Sequence, residues 1–402
     1  MDSIMTTRSR LSDRAELIKP AQTLAIAARA TAMKKQGIDV VSFSTGEPDF
    51  NTPEGISNVG INAIESGFTH YTDAKGILEL REAVAEKFVR ENGLPSTPES
   101  VLVSSGGKHS LFNALLSIIN PGDEVIIPAP YWVSYPEMVT LLGGKPVILE
   151  TSAAGRYKFS LEQLRNSLTP NTRALILNSP SNPTGSMYTP EELKEIAQVV
   201  AEAGIYVISD ELYEKIIYGT VKHFSIGSLP ELADLAITIN GVSKAWAMTG
   251  WRIGFMTGPL DILKAAGAIQ SQTTSNPSSI SQKAALEAIL NGAEDAERLR
   301  QSFAKRRELM GSLLAEIPHI AYPIPDGAFY YFINAEEYRT ERTPDSIALA
   351  EHLLVNHHVA IVPGEAFGDD KGFRLSYACS DDDIRKGVER LANGLGELRM
   401  KN

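Results

Sequence analysis

Cysteine is the scarcest residue of this chain: 402 residues include one, Cys379. A single thiol closes no internal disulfide and builds no cysteine-based zinc site, so an unstapled fold in a reducing compartment is expected. Cys379 itself reads as a structural thiol near a strand end rather than a nucleophile. Long apolar runs are missing too, and none approaches the roughly 20 residues that a membrane helix needs. Positive charge is in deficit: 38 Lys and Arg stand against 49 Asp and Glu, a net charge of −11. That balance speaks against a general nucleic-acid or acidic-membrane binder, although a local basic site for an anionic substrate remains open. Met1 to Lys19 carry Arg8, Arg10 and Arg14 among Ser and Thr, but also Asp2, Asp13 and Glu16, and no apolar leader core. We expect a cytoplasmic N-terminus, with the remnant of an organellar leader as the lesser alternative.

What is present is an alternation. Hydrophobic residues make up 43% and charged residues 22% of the chain, the values of a soluble enzyme with core enough for two domains. An alanine-rich helix is predicted over 24–35 and a short strand over Val40–Ser44, ended by the turn Gly46-Glu47-Pro48-Asp49. Amphipathic helices follow at Asn58–Ser66 and Ile77–Glu91. Short β-branched runs then recur at 101–103, 125–127, 146–149, 174–177, 206–208, 236–239 and 253–256, with helical stretches at 110–119, 190–203 and 260–270. This pattern implies an α/β fold with a mostly parallel seven-stranded sheet flanked by helices. A long helix is expected near 293–317, then strands at 328–333, 359–362 and 374–377 and helices at 345–355 and 381–395. We divide the chain into an N-terminal segment, 1–45, belonging to the small domain, a large domain, 46–315, and a small α+β domain, 316–402.

Five motifs carry chemistry. In Asn240-Gly-Val-Ser-Lys-Ala-Trp-Ala-Met-Thr-Gly-Trp-Arg-Ile-Gly254, Lys244 follows a buried strand, and Ser243 and Arg252 are placed to hold a phosphate. A lysine buried near an electrophile acts as an amine nucleophile. In Val207-Ile-Ser-Asp-Glu-Leu-Tyr213, Asp210 ends an apolar run, where a carboxylate needs a partner such as a protonated ring nitrogen. Taken on its own, that motif is better explained by a helix N-cap Asp beside a packed Tyr213. Asn178-Ser-Pro-Ser-Asn-Pro-Thr-Gly185 forces a rigid turn around Asn182. Ser104-Ser-Gly-Gly-Lys-His-Ser110 joins a strand to a helix whose first amides, at Gly107 and Lys108, suit an anion. It is no Walker loop, since Leu102 stands where the first glycine belongs. Phe373-Arg-Leu-Ser-Tyr377 places Arg374 in a strand, suited to a carboxylate, and Trp132 offers a flat face.

Together, and in this order along nearly the whole chain, these motifs resemble the class I, fold-type I aminotransferases. Gly46-Glu-Pro-Asp-Phe50, Tyr71-Thr72 and Pro130-Tyr-Trp-Val-Ser-Tyr135 complete the set. The resemblance implies pyridoxal 5′-phosphate as cofactor, held by Lys244 as a Schiff base. It implies that Asp210 pairs with the ring nitrogen, that Tyr213 and Asn182 bind the ring oxygen, and that Trp132 stacks on the ring. Gly107, Lys108, Ser243 and Arg252 would bind the phosphate. Tyr71 would reach the phosphate of a neighbouring subunit, making the active unit a homodimer. Arg374 and Gly46 would hold the substrate carboxylate, and turnover would be double displacement between amino acids and 2-oxo acids.

The closest pattern is that of the prokaryotic-type aspartate aminotransferases. Ser271 to Ala285 contain no arginine for a distal carboxylate, and the resemblance gives that task to Lys108. Thr23 matches a position that accompanies prephenate amination to arogenate. Aspartate or glutamate as donor, and 2-oxoglutarate or oxaloacetate as acceptor, are therefore expected. The alternatives are an aromatic, alanine or kynurenine aminotransferase, or a lyase or synthase using the same lysine, such as an aminocyclopropane-carboxylate synthase. A regulator of this fold carries a DNA-binding domain, for which the roughly 45 residues before Gly46 are too few.

Overall fold

The computed structural model describes residues 10–18 and 22–400; the expected leaderless stretch 1–9 and Lys19 fall outside them. The strands are β1 (Val41–Ser42), β2 (Val101–Ser104), β3 (Glu124–Pro128), β4 (Lys145–Leu149), β5 (Thr172–Asn178), β6 (Tyr206–Asp210), β7 (Ala236–Gly241), β8 (Gly254–Thr257), β9 (Tyr330–Asn334), β10 (Val359–Ala360), β11 (Val362–Pro363) and β12 (Gly372–Ser376). A seven-stranded sheet runs in the order β2-β8-β7-β6-β5-β3-β4. β3, β4, β5, β6 and β7 pair in parallel, whereas β8 is antiparallel to both neighbours, β2 and β7.

The strand sequences explain this layering. β2 and β7 are buried at every position and β3 at all but its last, the pattern of strands covered on both faces rather than one. Leu102, Ile127, Ile176 and Ile237 point into one apolar layer with Leu111 and Ala114 of the helix Gly107–Ile118. Leu175, Leu177 and Val207 point into the other with Ile196 and Val200 of the helix Pro190–Ala203. That last helix was legible to its ends. Thr189 and Glu192 form a capping box, Pro190 opens the first turn, and Gly204 closes it at φ 63°.

A smaller antiparallel sheet, β11-β12-β9, packs under the helices Ala293–Leu314, Ser346–His357 and Asp381–Met400. Phe303, Phe329, Phe373, Leu391 and Leu395, each fully buried, form its core. β1 pairs in parallel with β10 and so ties residues 41–42 to 359–360. The run read as one strand over 359–362 is in fact two, divided at Ile361 between two sheets. Helices Ser134–Leu141, Leu161–Ser167 and Ser279–Asn291 were not expected; each is short or has its apolar residues spread around the axis, so periodicity is faint. The helix expected at 58–66 starts earlier, at Glu54 behind Pro53. Among the described residues no helix is long and apolar enough to cross a membrane.

One contact joins sheet and site. A Cβ on Gly254 of β8 would land on the backbone of Gly106 and Gly107, where the helix Gly107–Ile118 begins. We expect Gly254→Ala to cost roughly 1–3 kcal/mol through that overlap, read as a lowered denaturant midpoint. Gly250→Ala, where an added Cβ meets nothing within 4 Å, should change stability by less than about 0.5 kcal/mol. Equal midpoints for the two would show that the close approach is not required.

Candidate active site

The parallel strands end in a common place. β5 ends at Asn178, β6 at Asp210 and β7 at Gly241, three residues before Lys244. Ligands of open α/β sheets bind beyond such carboxyl ends. There a cavity of ≈ 560 Å³ is lined by Gly46, Gly107, Lys108, Trp132, Asn182, Asp210, Tyr213, Ser243, Lys244, Arg252 and Arg374. Every expected site residue is thus gathered except two. Tyr71 lies away from this cavity, 88% exposed. Thr23 is in the first turn of the helix Gln22–Lys35, where side chains lie outside the described residues.

One end of the cavity is built for an anion. Gly106, at φ 92°, precedes the helix Gly107–Ile118 and offers no side-chain cap, while its carbonyl receives the amides of His109 and Ser110. The amides of Gly107 and Lys108 are left at the positive end of the helix dipole. Arg252 stands beside them in the left-handed region, φ 57°, its guanidinium donating to Thr249 O at 3.0 Å and Ser105 O at 3.3 Å. A side chain on Gly106 would collide with that guanidinium, and a strained non-glycine residue at such a place marks a functional constraint. Ser243 is 5% exposed. The Lys108 ammonium lies 4.7 Å from the centre of the Trp132 ring, and burial, then the Arg252 charge, hold its pKa below the ordinary value.

The floor holds a carboxylate without a cation. Asp210, 8% exposed, accepts from Tyr135 Oη at 2.7 Å and from the Leu212 amide at 3.3 Å. Burial raises its pKa above the usual carboxylate range, against the lowering effect of those two hydrogen bonds. Tyr213 Oη is 2.9 Å from Tyr330 Oη. The far wall holds the converse, a guanidinium with no carboxylate. Arg374, 3% exposed, donates to Asn182 Oδ1 at 3.0 Å and Ser44 O at 2.9 Å and lies 4.4 Å from the Tyr330 ring centre. Its Nε is buried without a hydrogen-bond partner among the described residues.

Tyr135, Tyr330 and Asn178 were missed as site residues. Tyr135 stands three residues after Trp132, and the two rings meet edge to face at 5.4 Å; the unrecognised helix Ser134–Leu141 hid that spacing. Tyr330 sits in an aromatic strand where nothing local distinguishes it from Tyr331. Asn178, though quoted within its motif, binds the turn from below: its Oδ1 accepts the Asn182 amide at 2.8 Å and its Nδ2 donates to Asp210 O at 2.9 Å.

Lys244 lies between the two unpaired charges, its Nζ donating to Gly46 O at 2.6 Å. Burial lowers its pKa from the ordinary value to about 8; Glu47 resists the shift, and the charges of Arg374 and Arg252 add to it. The neutral amine therefore gains population as pH rises through about 8. In protein freed of any bound ligand, we expect an amine-specific reagent, followed by peptide mapping, to label Lys244 with a half-maximal rate near pH 8, while exposed lysines follow their ordinary value near 10.4. A Lys244 profile that coincides with theirs would contradict the burial argument.

Residues 38–391 match the family model for aminotransferase class I and II. The chain is 46% identical over 386 residues to the aspartate aminotransferase of Geobacillus stearothermophilus, covering 95% of this chain and 98% of that one. It is 44% identical over 389 residues to the aspartate/prephenate aminotransferase of Cereibacter sphaeroides, covering 95% and 97%. The structure of the Thermus thermophilus aspartate aminotransferase with maleate superposes with a TM-score of 0.92 at 42% identity, over 96% of this chain and all of that one. With Lys244, Asp210 and Arg374 around one cavity at the carboxyl edge of the sheet, the chain belongs to the class I and II aminotransferases.

Proposed function

We propose that this chain is a pyridoxal-phosphate-dependent aspartate aminotransferase that also aminates prephenate. The observation that carries the reading is the pair of buried, unpartnered charges, Asp210 and Arg374, on either side of the Lys244 amine. A buried charge is stable only when paired, so the cavity calls for a ligand with a cation facing Asp210 and a carboxylate facing Arg374. The residues fit this cofactor. The Gly107 and Lys108 amides, Ser243 and Arg252 form a donor set for its phosphate, Asp210 for its ring nitrogen, Trp132 for its ring face, and Asn182 and Tyr213 for its ring oxygen. Bound there, the cofactor supplies an electron sink for the carbanion at the substrate Cα.

The chain's own residues do the rest. Lys244 would hold the cofactor through its Nζ and, once a substrate amine takes that place, its free amine would accept the proton from the substrate Cα. Its depressed pKa keeps that nitrogen available as a base. The Asp210 carboxylate would keep the ring nitrogen protonated, with Tyr135 fixing one carboxylate oxygen. Arg374 grips the α-carboxylate and Asn182 aligns the guanidinium. The Gly46 carbonyl, which receives Lys244 Nζ, borders the same place.

Substrate choice rests on the Lys108 ammonium above Trp132, placed for a second carboxylate. The Thermus thermophilus relative was solved with maleate, a dicarboxylate. Relatives from Cereibacter sphaeroides and Petunia hybrida are named for both aspartate and prephenate. For the assembly we propose a homodimer, with Tyr71 of one copy completing the phosphate site of the other. Tyr71, and Ile61, Ile64 and Leu78 from the helices before and after it in the chain, stand half-exposed or more, apolar surface that a second copy would cover. The small domain would comprise 316–402 with the segment 1–45, in keeping with the β1–β10 pair. A reducing, cytoplasmic location suits the lone Cys379, whose thiol burial pushes up to about 12.

Steady-state assay with aspartate and 2-oxoglutarate should show parallel double-reciprocal lines, and prephenate with glutamate or aspartate should yield arogenate. Absence of arogenate would remove the second activity alone. Lys108→Met should raise KM for aspartate roughly 30- to 1000-fold, as loss of a partly buried charge partner implies, with little change for a monocarboxylic amino acid. An equal rise for both would take distal recognition away from Lys108.

A further inference from the structure

Asp210 and Tyr213 line the cavity, while Glu211 and Glu214, the next residue after each, are 1% and 8% exposed in the interior behind it. The turn is closed on itself by the Glu214 amide donating to Glu211 O at 3.0 Å, and is pinned to β7 by the Glu211 amide donating to Ile239 O at 2.9 Å. Whatever holds the two glutamates therefore also holds the two site residues.

The glutamates sit in a dense polar group. The Glu211 carboxylate accepts from Ser209 Oγ at 2.8 Å, from Ser225 Oγ at 2.6 Å and from Asn92 Nδ2 at 3.2 Å, and lies 2.9 Å from His223 Nε2. Glu214 receives Asn92 Nδ2 at 2.7 Å and pairs with Lys87 Nζ. Lys87, 2% exposed, donates also to Asn92 Oδ1 at 2.7 Å. At the edge of the group, Glu91 lies 2.8 Å from Lys215, 3.0 Å from Arg90 and 3.9 Å from Lys87. Within this buried group two carboxylates stand against one ammonium; Lys215 acts on Glu214 as well, and the group in direct contact with both carboxylates that can add a positive charge is the His223 imidazole, on the loop that leads to Ser225.

We propose that His223 is a positioning residue of this active site: as an imidazolium it completes the charge of the buried Lys87, Glu211 and Glu214 group, and so fixes the turn that presents Asp210 and Tyr213 to the cavity. A buried carboxylate pair short of one positive charge is strained toward separation or water entry, and either movement is passed along one residue to Asp210. The groups facing His223 are Glu211 and Glu214 from that turn and Lys87 from the helix Leu78–Lys87. Burial and the Lys87 charge oppose its protonation, but the two carboxylates prevail and raise its pKa. Because the folded value is raised, the stabilisation is complete below the free-histidine value of about 6.5 and is lost as pH climbs through the folded value.

The effect on cofactor binding rests on the function proposed above, so the test has one arm that does not. In the cofactor-free protein with isotope-labelled histidine, the resonance lost in His223→Gln identifies the ring, which should titrate above about 6.5. In the holoenzyme, His223→Gln keeps a hydrogen-bond donor without the charge, and His223→Lys keeps a cation. His223→Gln should raise the cofactor dissociation constant, followed by its absorbance, roughly tenfold, and lower kcat with little change in KM for aspartate. His223→Lys should recover most of both. Across pH, the wild-type dissociation constant should rise with the midpoint of the imidazole titration, a measurement that stands even where a variant fails to fold. An imidazole titrating at or below the free value, a pH-flat dissociation constant, or Gln and Lys variants that behave alike would each overturn the proposal. Failure of the wild-type protein to take up cofactor at all would instead fall on the function, leaving the titration to judge His223.

Discussion

The arrangement depends on charges that are buried before they are paired. A carboxylate at Asp210 and a guanidinium at Arg374, 8% and 3% exposed, face a shared cavity without touching each other. In a protein interior such groups are costly alone and favourable once a partner of opposite sign arrives. The protein supplies hydrogen bonds that orient each of them, Tyr135 to Asp210 and Asn182 to Arg374, but withholds the counter-charge. The site is therefore poised for a ligand that carries both a cation and an anion at a set spacing.

The same environment acts in opposite directions on its two central groups. Burial disfavours the charged form of either: it raises the pKa of Asp210 and lowers that of Lys244. The Arg374 and Arg252 charges push Lys244 further the same way, which turns a strong cation into an available amine. For Asp210 the hydrogen bonds from Tyr135 and Leu212 pull back toward ionisation. A nucleophilic amine and a buried carboxylate of raised pKa thus arise from one cavity, each tuned by what surrounds it.

How much of this the sequence disclosed follows from where each residue stands on the chain. Strands covered on both faces are continuous apolar runs, so the seven-stranded sheet was readable, and with it the strand ends at Asn178, Asp210 and Gly241 where the chemistry gathers. Motifs that follow those ends directly, such as Ser243-Lys244 and Asp210 to Tyr213, were found for that reason. The reversed direction of β8 was not, because a strand reads the same in either sense. Tyr330 and Tyr135 escaped because their roles come from tertiary contacts with Tyr213 and Asp210, 117 and 75 residues away. The left-handed backbone of Arg252 carries no sequence mark at all.

Glu211 and Glu214 belong to the same class of unreadable residue, and they show why a site has a back as well as a front. Read along the chain, Asp210-Glu211-Leu212-Tyr213-Glu214 is an acidic turn. In space its members divide: residues 210 and 213 meet the cavity, whereas 211 and 214 meet Lys87, Asn92 and His223. Residues brought from the helix at Lys87 and from the loop at His223 have no proximity in sequence to each other. A turn so short cannot move one pair without the other, so the polar group behind the cavity and the carboxylate within it form a single mechanical unit. Strain relieved on the hidden side is accuracy gained on the side that meets the substrate.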